Sequence, residues 1–558
     1  MTPLTLIFIG DLHGHLVPRP DVRSDPPRSV GGLARMYRLI ESIRERAPAS
    51  LLVNAGDTIQ GSAEALFTRG AAQVSVLNRF GIDAFAPGNW DFLYGTERFL
   101  ELFAGPRPQA PWHAIASNLY YEGSPYEARQ ATRVLPPYRI VTLGGQRIGL
   151  LGLTAHRGPQ AVGPGVTRGF RFGAGDAELA ELVPHLRDQE HVDLLVLVSE
   201  MGLARNIQLA RAHPGIDVVL SSDSHELTWE PVILPTGTLL VEPGQDGAVV
   251  GELTLRREGA RWRVTWALHE VTDGLPEDSQ IAAQVDEVRR PFLALSEAPR
   301  PMNPLTGRPL PATLDTVVGQ TTVPLHRAGS TGNELPAVIE GTSHDLITDA
   351  LRASTGADVA SLRGFRFGTQ VPPGPVRVED LFHFLPLGSR VASGLVTGRQ
   401  IREQIERAAH GCLSPDPREW SGGWMFAYSG LRVALDPSAP RGERARAIDV
   451  RAADGGWEPL DDERRYRYAA LYHPEAANAL NGLEATEIEL VRDAASQPLD
   501  VVEVVAGYLA ALPDGVATVE SGRIRLRRPL PPPVFGNVEL QPLRGAGGPS
   551  RADAGRAG

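Results

Sequence analysis

The segment Gly56-Asp57-Thr58-Ile59-Gln60-Gly61-Ser62 closely follows the apolar run Leu51–Val53. Short apolar and β-branched runs of this kind recur over about the first 270 residues, and helical patterns such as Leu33–Arg46 and Ala177–Leu186 stand between them. This alternation predicts a layered α/β domain with buried strands. The runs expected to form strands are Leu4–Ile9, Leu51–Val53, Ala114–Ala116, Ile148–Leu153, Leu194–Val198, Val218–Leu220 and Leu239–Val241.

Metal-ligating side chains follow several of these runs. Asp11, Asp57, Asn89, Glu200 and Asp223 each come just after a strand-like run or a short turn behind one. Open α/β sheets form their ligand crevices at the carboxyl ends of the strands, so we expect these side chains to meet there. Two divalent ions about 3.5–4 Å apart need a bridging carboxylate and several further oxygen or nitrogen ligands. The residues therefore predict a two-metal site.

Composition excludes several classes of protein. The chain has 558 residues, a formal net charge of −11 and a pI near 5.8, so it lacks the basic footprint of a nucleic-acid-binding protein. Cys412 is the single cysteine, which excludes an intramolecular disulfide framework and a thiolate metal cluster. No stretch approaches the roughly 20 apolar residues of a membrane-spanning helix, so no membrane partner is expected. Because the net charge is negative, large polyanionic partners are not expected either.

The N-terminal sequence indicates the cellular location expected for the protein. Met1–Gly10 is too short for the apolar region of a secretory signal with a basic flank. As written, the chain is expected to be cytoplasmic. A misassigned start codon would remove an export signal, in which case the protein would be periplasmic or secreted.

The pattern divides the chain into four parts. A polar helical stretch leads into the proline-rich run Pro299–Pro311, which is typical of a linker. A second domain follows, with helices expected at Ser343–Ser354 and Gly398–Ala409. From Arg527 the sequence is rich in Pro, Gly, Ala and Arg, which predicts a disordered tail. The predicted parts are an N-terminal domain at 1–274, a linker at 275–312, a C-terminal domain at 313–526 and a tail at 527–558.

Three motifs resemble a known family. Asp11-Leu12-His13, Gly56–Ser62 and Gly88-Asn89-Trp90-Asp91, followed by a second domain, are similar to the 5'-nucleotidase family of calcineurin-like metallophosphoesterases. The resemblance extends to about residue 520. It implies a four-layer αββα domain that holds two metal ions and an α/β 5'-nucleotidase-type C-terminal domain that supplies substrate-binding residues.

The resemblance also implies a set of metal ligands. Asp11, His13 and His225 match the ligands of the first ion, and Asp57 matches the carboxylate that bridges the two ions. The residues at the positions of the second ion's ligands are Asp57, Asn89, Glu200 and Asp223.

Two of those positions depart from the family. Glu200 and Asp223 stand where the family has histidines. Oxygen ligands favour harder cations, so manganese is the expected ion, with magnesium, iron and zinc as alternatives. A retained, retuned second site and a lost one are both compatible with the two changes. If both ions bind, four carboxylates nearly cancel their charge, and an anionic substrate needs positive groups from elsewhere.

Residues expected to act on substrate lie in both domains. Trp90 replaces the family's histidine and cannot exchange a proton, while Asp91 can still orient its neighbours. Arg363 and Arg366 could clamp an oxyanion, or they could simply be solvated on a turn. Phe365 lies where the family has one of two aromatics that sandwich a nucleotide base.

Three functions are compatible with these residues. The first is metal-dependent hydrolysis of a phosphate monoester, nucleotide-like, with Asp57, Asn89, Trp90, Asp91 and Arg366 at the reacting centre. The second is hydrolysis of a carrier-bound sulfur substrate, because Trp90–Gly95 and the segment around Phe365 are similar to the Sox-system thiosulfohydrolase, whose partner is a carrier protein. The third is a non-catalytic descendant that binds a metal or a ligand.

Overall fold

A computed structural model describes most of the chain. The described residues are 3–22, 26–123, 132–259, 261–294, 300–327, 339–365, 370–420, 425–473 and 479–530. The predicted site residue Arg366, part of the predicted linker (295–299) and the predicted tail from residue 531 onward lie outside them.

Two stacked sheets form the centre of the N-terminal domain. The first has strands in the order Arg261–Glu270, Val249–Glu258, Leu4–Ile9, Ser50–Asn54 and Ala84–Phe85. The second has strands in the order Val232–Ile233, Leu239–Val241, Val218–Ser221, Leu194–Ser199, Gln146–Leu153 and Tyr138–Leu143. Leu4–Ile9 pairs in parallel with Ser50–Asn54, and Leu194–Ser199 pairs in parallel with both of its neighbours.

Alternation of side chains along the strands produces four layers. Leu6 and Phe8 of the first sheet pack against Ile148 and Val196 of the second, in one buried cluster. The outer face of the first sheet, with Ile7, packs on helices, and the outer face of the second does the same. The fold is therefore the αββα arrangement predicted from the sequence. The helices of this domain are α1 (Leu33–Arg46), α2 (Ala63–Thr68), α3 (Ala71–Leu77), α4 (Thr96–Phe99), α5 (Gly158–Val162), α6 (Asp176–Pro184) and α7 (Leu203–Ala212).

One expected strand is wrong. Ala114–Ala116 makes only an isolated bridge, between Ala114 and Phe85, and does not continue a sheet. Phe85 ends a strand of just two residues at the edge of the first sheet, so there is little backbone for the run to pair with. Two short hairpin-like pairs complete the domain, Arg19–Asp21 with Arg28–Val30 and Leu119–Tyr121 with Phe170–Phe172.

Helix α8 (Ser279–Leu293) connects the domains. Asp278 caps it by accepting hydrogen bonds from the N–H groups of Gln280 and Ile281, both at 3.0 Å. Its buried side chain Phe292 contacts Phe67 of α2, with ring centroids 6.1 Å apart. Phe67 in turn contacts Phe382 of the C-terminal domain at 5.5 Å, so a single apolar cluster runs through both domains. Phe382 is buried in this cluster.

The described part of the C-terminal domain combines three larger sheets, one two-stranded pair and four α-helices. Its largest sheet has the strand order Ala427–Ser429, Val359–Leu362, Arg465–Tyr472, Arg390–Thr397 and Thr486–Leu490. The second sheet has the strand order Trp457–Pro459, Ala445–Arg451, Leu431–Leu435 and Ile524–Leu526. The third has the order Gly374–Arg377, Val317–Thr321 and Val516–Ala517. A short antiparallel pair joins Ala479–Leu480 to Leu483–Glu484. The helices are α9 (Thr342–Thr355), α10 (Val378–Phe384), α11 (Gly398–Leu413) and α12 (Val501–Ala511). No helix in the described part of the chain is long and apolar enough to cross a membrane.

Candidate metal centre

The backbone at the ends of the strands is unusual. Asp11, His13, Asp57, Asp223 and His225 all have positive φ angles, of 49°, 45°, 45°, 78° and 58°. Asp and His tolerate this left-handed conformation better than most residues, but each still costs free energy. Backbone hydrogen bonds hold the loops in place, from the N–H of Asp11 to the carbonyl of Gly56 (3.0 Å) and from the N–H of His13 to the carbonyl of Asp57 (2.9 Å).

Three of these side chains converge on one point. The Nε2 atoms of His13 and His225 lie 3.0 Å apart, and Asp11 Oδ1 lies 3.8 Å and 3.5 Å from them respectively. Ligands about 2.0–2.2 Å from one metal ion are separated by about 3.0–3.5 Å, so the triangle has the dimensions of a metal site. One carboxylate and two imidazoles suit a divalent transition metal. The sequence-predicted ligands of the first ion therefore meet.

A second group of ligand atoms adjoins the first. Atoms of Asp11, Asp57 and Glu200 lie within 4.8 Å of one another, and all three residues are buried. Neither carboxylate oxygen of Glu200 has a hydrogen-bond partner among the described residues. Buried carboxylates without donors are costly, so these oxygens fit a cation rather than an apolar core.

Steric crowding beside Asp57 and Glu200 explains why residue 88, the first of the motif Gly88-Asn89-Trp90-Asp91, is glycine. A Cβ atom at Gly88 would lie 2.2 Å from Asp57 Oδ1 and 2.6 Å from Glu200 Oε1. Both distances are shorter than a non-bonded contact allows. Only glycine lets the loop that carries Asn89 approach the two carboxylates.

The carboxylates strongly affect one another. Burial, followed by the charges of Asp57 and Asp11, raises the pKa of Glu200 well above its usual range. Burial and the charge of Asp57 likewise raise the pKa of Asp11. Bound cations would reverse both effects, because positive charge favours the ionised form of a carboxyl group.

Asp223 has different neighbours. Asn89 Nδ2 donates a hydrogen bond to Asp223 Oδ1 at 3.2 Å, and Arg157 Nη2 lies 3.2 Å from Asp223 Oδ2. Arg157 also donates through Nη1 to the carbonyl of Trp420 in the C-terminal domain, at 2.7 Å. Asn89 Oδ1 is buried without a hydrogen-bond partner in the described structure. Asp223 and Asn89 as metal ligands remain predictions.

Sequence reasoning missed Arg157. It lies behind the strand Gln146–Leu153, on a loop equivalent to those that carry the predicted ligands. The position of His156-Arg157 just after the strand-like run Ile148–Leu153 is the sequence feature that could have indicated a site residue here. What the sequence does not show is its ion pair with Asp223, 66 residues away.

Asp91 holds two loops together. Its Oδ1 accepts hydrogen bonds from the N–H groups of Thr58 (2.9 Å) and Ile59 (3.1 Å), and its Oδ2 accepts one from Gly88 (2.8 Å). Burial raises the pKa of Asp91 to about 6, although these hydrogen bonds oppose the shift. The N–H of Trp90 donates to Asp57 Oδ1 at 2.8 Å. Asp91 thus orients the loop that bears Asp57, as expected.

An aromatic contact joins the domains above the centre. The half-buried ring of Trp90 meets the buried ring of Phe365 edge to face, with centroids 4.9 Å apart and planes at 64°. The N–H of Phe365 donates to His344 Nε2 at 3.1 Å, so α9 fixes the position of this ring. Desolvation and then the charge of Arg157 lower the pKa of Arg363. Arg366 lies outside the described residues.

The fold and this site define a calcineurin-like phosphoesterase with an added domain. A family model described as calcineurin-like phosphoesterase matches residues 4–227, and one described as 5'-nucleotidase, C-terminal domain, matches residues 317–480. The chain belongs to the 5'-nucleotidase family of calcineurin-like phosphoesterases, which are hydrolases that use divalent metal ions.

Individual proteins agree with this assignment. The probable 5'-nucleotidase of Treponema pallidum (strain Nichols) is 24% identical over 530 residues, which cover 83% of this chain and 84% of that protein. The crystal structure of a 5'-nucleotidase precursor from Thermus thermophilus is 25% identical, with a TM-score of 0.76 over 94% of this chain and 99% of that one. The sulfate thiohydrolase SoxB of Thermus thermophilus has the same fold, with a TM-score of 0.75 at 22% identity over 95% of this chain and 98% of that one.

Proposed function

We propose that this protein hydrolyses nucleotide-like phosphate monoesters, with divalent ions held at the metal centre. The observation that carries the proposal is the triangle of Asp11 Oδ1, His13 Nε2 and His225 Nε2 beside the buried carboxylates of Asp57 and Glu200. The names of relatives, 5'-nucleotidase and NAD 5'-nucleotidase, support a nucleotide as substrate.

The chemistry divides between the ions and the protein. Bound divalent ions polarise the phosphoryl oxygens and lower the pKa of water. The Trp90 N–H and the three hydrogen bonds to Asp91 keep the loops of Asp57 and Asn89 in fixed positions. Burial of Asp11, Asp57 and Glu200 keeps bulk water away from their charges, which strengthens their interaction with a cation.

Substrate contacts are proposed for the C-terminal domain. Phe365 lies against Trp90, so a planar base can pack beside these rings at the domain boundary. Arg363 and Arg157, the latter paired with Asp223, are proposed to contact an anion there. Arg366 is proposed as a further anion ligand from its sequence position.

Trp90 cannot protonate the leaving group of the proposed reaction. The indole has no proton to transfer near neutral pH, so the departing oxygen takes its proton from solvent. We therefore expect aryl phosphates and phosphoanhydrides, which have stable leaving groups, to react faster than alkyl phosphates such as a nucleoside monophosphate.

The proposed activity is tested with Asp57→Ala against a panel of nucleoside phosphates and aryl phosphates, with manganese and with magnesium. Turnover should fall at least a thousandfold, because Asp57 is proposed as the carboxylate that bridges the two ions. Asp188→Asn, an exposed acid shortly after α6, is the control and should keep full activity. Full activity of Asp57→Ala would overturn the assignment of the centre.

A second candidate rests on Trp90 and on the shared fold. The Sox-type thiosulfohydrolase also has an aromatic residue at this position. If this protein had the same function, its substrate would be a sulfonate on a cysteine of a carrier protein. Release of sulfate from a thiosulfonate-bearing peptide, without release of phosphate from nucleotides, would favour this function. No turnover of either substrate class, with tightly bound metal, would favour a non-catalytic binding protein.

A further inference from the structure

A polar cavity lies in the C-terminal domain, away from the metal centre. It has a volume of about 540 Å³ and is lined by the end of α9, the segment from Ser429 to Arg432, the hairpin with Arg451 and Trp457, and residues 518–525. Helix α9 separates the two places. His344 near its start holds Phe365 over the metal centre, whereas Arg352 and Gly356 at its end line the cavity. Fourteen residues of helix span about 20 Å.

The charge of the cavity is opposite to that of the chain. Asp349 and Glu520 are its acidic lining residues, in a protein with a net charge of −11. Five guanidinium groups line the same space, those of Arg352, Arg432, Arg451, Arg523 and Arg525.

One of the two acids is already neutralised. Asp349 pairs with Arg523 at 2.7 Å and accepts a hydrogen bond from Ser429 at 2.7 Å. Within the described parts of the chain, no carboxylate oxygen lies within 4.0 Å of Arg352, Arg432, Arg451 or Arg525; the closest polar contacts of Arg352 and Arg525 are backbone carbonyls. Four positive groups therefore share one cavity without ion-pair partners among the described residues.

Two of these arginines are held in fixed positions. The guanidinium of Arg432 lies over the ring of Trp457, with its central carbon 4.0 Å from the ring centroid. Arg352 donates through Nε to the carbonyl of Asp358 at 3.0 Å, which leaves its terminal nitrogens for another partner. Burial and then the charge of Arg451 lower the pKa of Arg352, so the two groups repel each other. An anion between them would remove that repulsion.

We propose that this cavity binds an oligophosphate, either free or as the tail of a nucleotide. Glu520 offsets one of the four remaining guanidinium groups, which leaves a net charge of about +3 in the cavity. Each phosphate contributes at most about two negative charges near neutral pH, so roughly two or three phosphates balance this charge. Arginine binds phosphate oxygens in bidentate fashion, and a cluster of them selects the more highly charged anion. Trp457 and Tyr508 provide apolar surface for a base at the rim.

The test uses the full-length protein with EDTA, which removes metal-dependent binding at the other site. Inorganic tripolyphosphate is titrated into the wild type and into Arg432→Gln/Arg451→Gln by calorimetry. Arg168→Gln/Arg211→Gln removes two exposed arginines of the N-terminal domain and is the control for total charge. We expect saturable binding to the wild type and the control, and at least a tenfold loss in the cavity variant.

Arg525→Gln, at an exposed strand position, gives a variant with less risk to folding and should weaken binding severalfold. ATP and AMP distinguish the two sources of ligand. Tighter binding of ATP than of tripolyphosphate identifies a nucleotide, while equal binding identifies the phosphate chain alone; AMP should bind weakly in either case. The proposal is wrong if the wild type shows no saturable binding, or if the cavity and control variants lose affinity equally.

Discussion

At the scale of single residues, Arg157 forms an ion pair with Asp223, one of the predicted metal ligands. Its guanidinium lies 3.2 Å from Asp223 and ties that residue to the C-terminal domain through Trp420. Asp223 therefore has a positive partner before any ion binds. A guanidinium and a metal ion compete for the same carboxylate, because each satisfies its charge.

Arg157→Gln should release Asp223 for metal binding. We expect the second equivalent of Mn²⁺ to bind about tenfold more tightly, equivalent to about 1.4 kcal/mol, while binding of the first equivalent at Asp11, His13 and His225 stays the same. Calorimetric titration of the metal-free protein measures both equivalents. Arg205→Gln, which breaks the ion pair with Asp176 on the surface, is the matched control. Unchanged stoichiometry and affinity in Arg157→Gln would show that Asp223 is not a ligand.

Trp90→His tests the role of the missing proton donor. The imidazole should protonate the departing oxygen, so turnover of alkyl phosphates should rise by one or two orders of magnitude. Aryl phosphates with acidic leaving groups should change little, because they need no proton. The rate plotted against leaving-group pKa should therefore become flatter in the variant. An equal gain for both substrate classes would mean that Trp90 acts through access to the site and not through proton transfer.

The elements show what could be predicted from the sequence and what could not. Strands such as Leu4–Ile9 and helix Leu33–Arg46 were predicted with their observed bounds, because buried runs and amphipathic spacing are local properties. The convergence of Asp11, His13 and His225 is implied by the resemblance of their motifs to the family. The contacts of Arg157 with Asp223 and of His344 with Phe365 join residues far apart in the chain, and no local pattern contains such pairings.

At the scale of the element, α9 and the loop behind Val359–Leu362 form one unit. Gly364 has a φ of +62°, and a Cβ atom there would lie 1.8 Å from His344 Nε2. Gly364→Ala should displace Phe365 from Trp90, so KM for a nucleotide substrate should rise about tenfold with metal content unchanged. Gly356→Ala is the control, since its φ is +63° and no atom lies within 4 Å of the added methyl. Equal effects of the two variants would point to backbone strain instead of the His344 contact.

His344 also predicts a pH dependence of stability. Burial and the charge of Arg327 lower its pKa well below 6.5, so below pH 6.5 the unfolded chain binds a proton that the folded chain does not. Stability is therefore lost as pH falls, by about 1.4 kcal/mol per unit from this group. His344→Gln keeps an acceptor for Phe365 N–H and should lose less stability than the wild type between pH 7.5 and pH 5. Urea unfolding measures the difference, and parallel curves above pH 7.5 are the internal control. Parallel curves over the whole range would contradict the prediction.

At the scale of the whole molecule, the C-terminal domain contacts two residues beside the metal centre, Trp90 through Phe365 and Arg157 through the carbonyl of Trp420. A partly buried ion network on α8 links the two domains. Arg289 lies 2.7 Å from Glu64 of α2 and also pairs with Glu379 of α10, and Arg19 lies 2.6 Å from the same Glu379. The network therefore connects the linker helix to both domains.

Arg289→Met should separate the domains before it unfolds either one. It leaves Glu64 buried without its cation, and loss of one partner of a buried pair typically costs about 3–5 kcal/mol. We expect faster proteolysis between the two domains, a lower midpoint of thermal unfolding, and a higher KM at unchanged affinity for the first metal ion. Arg290→Met, its exposed neighbour on α8, should change none of the three. If Arg289→Met lowers the unfolding midpoint without raising KM, the network stabilises the fold but does not position Phe365, and the register of the domains is set by the apolar cluster around Phe67 and Phe292 alone.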